Sequence, residues 1–118
     1  GACLYCPQPF IDKFPNTTQA LANAIVRADK WIQKAGPSDI IKVIPESFFL
    51  GDRAIYLEAF LAAQKALSPD GVFPAKAPDT AFRALASVDE KLAATKLDLS
   101  LVYTNDFARK ANAKYPKG

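Results

Sequence analysis

The sequence predicts a mostly α-helical segment with one short N-terminal strand and about four helices. Three observations lead there. The opening run Ala2-Cys3-Leu4-Tyr5-Cys6 is apolar and free of helix-start chemistry, as a buried strand would be. Apolar residues then recur at three- and four-residue spacing in separate stretches. Proline- and glycine-rich turns divide those stretches from one another. At 118 residues, 50% hydrophobic and 23% charged, the chain fits one packed domain at most, or a piece of one.

The strand has no mate in the sequence, so its backbone groups are expected to pair with something outside it. The first helix is expected to start at Asn16 after Pro15, with Gln19 completing a capping box, and to run to about Ala35. Its apolar stripe is Leu21, Ala24, Ile25, Ala28, Trp31, Ile32 and Ala35, with Arg27, Lys30 and Lys34 elsewhere, and Gly36-Pro37 stops it. A single turn can form over Ser38 to Val43 before Pro45, followed by the adjacent Phe48 and Phe49. Asp52 is placed to cap a second helix striped by Ile55, Ala59, Phe60, Ala63 and Leu67, which Ser68-Pro69-Asp70-Gly71 ends. Past a proline-rich connector, Val72 to Pro78, a third helix starts near Asp79 and turns Phe82, Leu85 and Ala86 inward. The stretch Leu97 to Leu101 alternates as a strand does but stays unassigned, and Thr104 is a good N-cap for a last helix holding Phe107, Ala108 and Ala111.

Composition excludes several function classes. The net charge of +3 is spread along the chain without a run of basic residues, so no nucleic-acid partner is expected. No run approaches the length of a membrane span, and Gly1-Ala2-Cys3 lacks the basic-then-apolar order of a signal peptide. Histidine is absent, no serine sits in a Gly-x-Ser-x-Gly elbow, and no glycine-rich loop follows a strand, so no enzyme and no cofactor is expected. Acidic neighbours such as Asp89-Glu90 read as solvated charge at a helix end. Cys3 and Cys6 lack partners for a zinc site and read either as two small buried hydrophobes or as a thiol–disulfide switch. Trp31, Phe48, Phe49 and Phe60 have the spacing of core and docking faces rather than of an aromatic ligand box.

Two blocks carry a family resemblance. The first is the run Ala2 to Tyr5, then Pro9-Phe10-Ile11-Asp12-Lys13-Phe14-Pro15, then Thr18-Gln19-Ala20-Leu21-Ala22-Asn23-Ala24-Ile25-Val26-Arg27-Ala28 leading to Trp31. The second is Tyr103-Thr104-Asn105-Asp106-Phe107 followed by Arg109-Lys110-Ala111. Together, in this order, they resemble the C-terminal part of periplasmic solute-binding proteins for nitrate, sulfonates and taurine. The Cys3/Cys6 pair and the connector Val72 to Pro78 depart from that pattern, which leaves the subfamily open.

The resemblance implies that residues 1–118 are a single C-terminal segment of a two-lobe protein with the α/β type II periplasmic-binding-protein fold. It implies the substrate-binding component of an ABC importer, periplasmic or lipid-anchored, that captures a small anionic solute and delivers it to the permease. Tyr5 is the residue expected to bind ligand, because a strand crossing between lobes points alternate side chains to opposite sides. A lone segment is also expected to self-associate through its unpaired strand. The alternative is an autonomous helical interaction module that docks a partner through residues such as Phe48 and Phe49.

Overall fold

The computed structural model describes residues 2–117. Seven α-helices follow one another: α1 (Gln8–Lys13), α2 (Pro15–Ile32), α3 (Pro37–Val43), α4 (Arg53–Gln64), α5 (Ala77–Ala86), α6 (Glu90–Ala93) and α7 (Asp106–Lys114), with 3-10 turns at Glu46–Phe49 and Leu99–Leu101. No strand occurs among the described residues. This overturns the expected N-terminal strand and with it the α/β type II periplasmic-binding-protein fold for this chain. A strand exists only where a neighbour accepts its ladder, and no second extended segment lies alongside residues 2–6. Those residues run unpaired into Pro7, whose extended backbone leads directly into α1. The self-association expected through that strand loses its structural basis.

Local chemistry explains most helix boundaries. Proline opens α2 at its first position, where a missing N–H costs nothing. The expected capping box does not form: Phe14 is the N-cap, and the Gln19 side chain instead donates to Asn23 Oδ1 and to the Phe107 carbonyl oxygen, both at 2.9 Å. What was read as one turn at Ser38 to Val43 is a full helix, because the Gly36 N–H donates to the Asp39 carboxylate at 3.0 Å and fixes its first turn. Asp52 caps α4 as its spacing predicts, accepting from the Ile55 N–H at 3.0 Å. The alternating stretch at Leu97 to Leu101 closes into a 3-10 turn because the Asp98 carboxylate accepts both the Ser100 N–H and its hydroxyl. Those bonds hold the Asp98 carboxyl below its ordinary value.

The two ends of the chain meet in one seam. Val26 of α2 packs with Ala108 and Ala111 of α7, and Val72 closes the cluster. Alanines three residues apart on one helix let the two backbones approach closely. Contacts advance in the same direction along both helices: Gln19 reaches Phe107 at one end, and at the other Lys30 Nζ donates to the Tyr115 carbonyl and Arg27 stacks 5.0 Å from the Tyr115 ring. Thr18, the one buried polar residue among those described, donates its hydroxyl to the Phe14 carbonyl and so needs no partner across the seam.

The turn at Ser68 to Phe73 is stitched into that seam. Ser68 Oγ accepts the Gly71 N–H at 2.8 Å, and Asp70 Oδ1 accepts the Val72 N–H at 2.9 Å. Gly71 has φ +71°, and a Cβ there would stand 3.0 Å from Val26 Cγ2, so both the conformation and the close approach call for glycine. Asn112 donates to the Asp70 carbonyl oxygen at 2.8 Å. Asn105 pairs with Phe73 twice, accepting its N–H at 2.9 Å and donating to its carbonyl at 3.1 Å, while the Tyr103 ring meets the Phe73 ring edge-on at 5.6 Å. The block Tyr103 to Phe107 therefore works as a clamp on the turn.

Two outcomes follow from the seam. Asn105→Ala removes two hydrogen bonds to half-buried backbone and should lower stability by about 1–3 kcal/mol, read as a shifted urea midpoint together with faster exchange of the Phe73 amide. The second concerns Asp29, whose carboxyl is pushed above its ordinary value of 3.8 first by burial and then by Asp70 nearby. The folded chain thus holds that proton more tightly than the unfolded one. Its contribution is fully present below pH 3.8 and is lost as pH rises through the higher folded value. Asp29→Asn should flatten that part of the stability–pH curve, and urea midpoints measured from pH 3 upward that keep their slope in the variant would refute the assignment.

Candidate interaction surface

The helix faces divide in a way that hydrophobicity alone does not reveal. Thr18, Gln19, Ala22 and Val26 occupy the side of α2 turned to α7, so the seam uses small and polar residues. The larger apolar residues of the expected stripe lie about a third of a turn round the helix. There Leu21 is 45% exposed, Ile25 48% and Trp31 41%, and Ala28 lies open between them. The apolar stripe of α2 is thus its more open face, on which Ile32 is half-buried and Ala35 buried.

A second apolar feature surrounds the 3-10 turn at Glu46–Phe49. Phe49 is buried and meets the Tyr56 ring edge-on at 5.0 Å, while Arg53 lies 5.4 Å from the Phe49 ring and pairs with Glu46. That hydrogen bond and charge raise the Arg53 pKa further, so the guanidinium stays charged at any working pH. Leu50 follows with φ +50°, a left-handed conformation that costs a branched residue about 1–2 kcal/mol. It stands 93% exposed beside half-open Phe48 and Ile55, rimming a groove of about 300 Å³. Of the adjacent phenylalanines, Phe49 is therefore core and Phe48 is surface.

A third concavity, about 260 Å³, lies between Lys30, Gln33, Lys34, Pro69, Pro116 and Lys117. Two of its three ammonium groups already have structural work: Lys30 donates to the carbonyls of Tyr115 and Pro116, and Lys34 to that of Lys117. They tie the last residues onto α2.

Tyr5 is 88% exposed on the unpaired N-terminal segment, without the strand that was expected to aim it. Cys3 is exposed and Cys6 half-buried, and both are free thiols. Among the described residues no group of three or more acidic, cysteine or histidine side chains could hold a metal ion, and no helix is long and apolar enough to cross a membrane.

These open faces add up. The accessible surface is 8962 Å², against roughly 6,300 Å² for a self-contained monomer of this mass. The radius of gyration is 17.2 Å, against about 13–14 Å for a globule of this length. Sequence reasoning missed this surface because the stripe Leu21 to Trp31 reads equally as a face packed within the chain or against something else.

No family model matches the chain, and no curated protein is similar to it. The chain is similar to a solved structure of a protein from Bordetella bronchiseptica RB50, with 51% sequence identity and a TM-score of 0.86 over 94% of this chain. The match covers 35% of the Bordetella chain, so this chain spans about a third of that protein's length.

Proposed function

We propose that this chain is the C-terminal helical segment of the solute-binding component of an ABC importer of the nitrate, sulfonate and taurine type, exported to the periplasm or lipid-anchored. The complete protein captures a small anionic solute reversibly and hands it to the permease, with no chemistry performed on it. One observation carries the reading. The two blocks on which the family resemblance rests, residues 2–31 and 103–111, lie far apart in the sequence, and their helical parts pack against each other along α2 and α7. Such blocks make a joint signature physically sensible, because each is needed to bury the other. The length of the Bordetella protein further supports a segment of something larger.

A second reading, an autonomous helical interaction module, draws on the groove rimmed by Phe48, Leu50 and Ile55. The excess surface weighs against it, since a free-standing domain would have to keep those apolar faces in water. Titration calorimetry of the complete gene product against nitrate, taurine and short alkanesulfonates separates the two. The transport reading expects saturable binding of about one solute per protein to at least one of them, weakened by Tyr5→Ala if that side chain faces the solute. A folded, complete protein that binds none of the class while capturing a protein partner through Phe48 and Leu50 would favour the module.

A further inference from the structure

We infer that the bare stripe of α2, formed by Leu21, Ile25 and Ala28 with Trp31 beside it, is an intramolecular docking face covered by the further length of a chain about three times as long as this one. The inference rests on the reading of residues 1–118 as a segment, and not on which solute the complete protein takes.

Three observations converge on that occupant. First, α2 is the longest helix among the described residues and packs on α7 through one side, while Leu21, Ile25 and Trp31, at helical spacing outside that seam, stay 41–48% exposed. Second, magnitude separates the candidates. The surface exceeds that of a self-contained domain by roughly 2,700 Å², whereas a transient partner removes only about 800 Å² from each side and an obligate second copy about 1,000–2,500 Å². An excess at the top of that range, spread over the whole molecule, favours further length of the same chain over a partner that docks on one patch. Third, the Bordetella protein keeps this backbone and half of these residues within a chain of which the matched part is 35%. The remaining length is available to lie on α2 in that protein, and the same economy of burial applies here.

The test uses the complete gene product in a Cys3→Ser, Cys6→Ser background, carrying Leu21→Cys, Ile25→Cys or Ala28→Cys one at a time. Maleimide labelling of the native protein is compared with labelling in urea, and a cooperative thermal transition confirms that each variant is folded. A covered stripe should label at least ~100-fold more slowly in the native state at all three positions. Ala28→Cys alters volume least, so it carries the result if the larger replacements do not fold. Labelling within ~10-fold of the unfolded rate would overturn the inference. So would protection that vanishes on dilution to the monomer, which would assign the stripe to a second copy, or a gene product ending with these 118 residues. Because no solute enters the measurement, protection without solute binding would leave the docking face standing and remove the transport reading alone.

Discussion

The packing of α2 against α7 is the constraint on which the rest of the chain hangs. Val26, Ala108 and Ala111 hold the two helices at close range across more than seventy residues of intervening sequence. Everything between them must leave one helix and return to the other in register. The turn at Ser68 to Phe73 manages that return: Gly71 passes under Val26 where a side chain would not fit, and Asn105 and Asn112 grip the turn's backbone from α7. The apolar cluster is small, so the amide hydrogen bonds around it carry an unusual share of the seam's specificity.

Local rules place α2, α4, α5 and α7 but do not anticipate α1 or α6 and give α3 as a single turn. Asp52 and the turn at Ser68 to Gly71 follow from capping and turn chemistry that depends on a few neighbouring residues, whereas the helix carrying Phe107, Ala108 and Ala111 is present but starts from Asn105 rather than from the expected cap Thr104. Nonlocal features were not legible. Whether Ala2 to Tyr5 forms a strand depends on a partner that nothing within the run encodes, and the structure leaves it unpaired. Gln19 had the right spacing for a capping box, yet its side-chain NH2 donates to the Phe107 carbonyl on the far helix and its Oε1 accepts nothing at the helix start, whose N-cap is Phe14. The stripe on α2 was the subtlest case. Ranking faces by hydrophobicity selects Leu21, Ile25 and Trp31, whereas the chain packs through Val26 among small and polar neighbours.

That reversal connects structure to function. A helix whose smaller face is used within the segment and whose larger face stays open is built to sit between two bodies. The groove beside Leu50 adds a second open apolar feature, maintained at the expense of a left-handed leucine. Tyr5 is exposed on the unpaired N-terminal segment and takes no part in the core.

The proposal that these residues are one part of a longer solute-binding protein is checked first by the intact mass of the protein isolated from its native source. The account predicts a mature chain well over twice the length of these 118 residues. A native chain whose mass matches the 118 residues alone would contradict it, and the open face of α2 would then belong to a free-standing helical module.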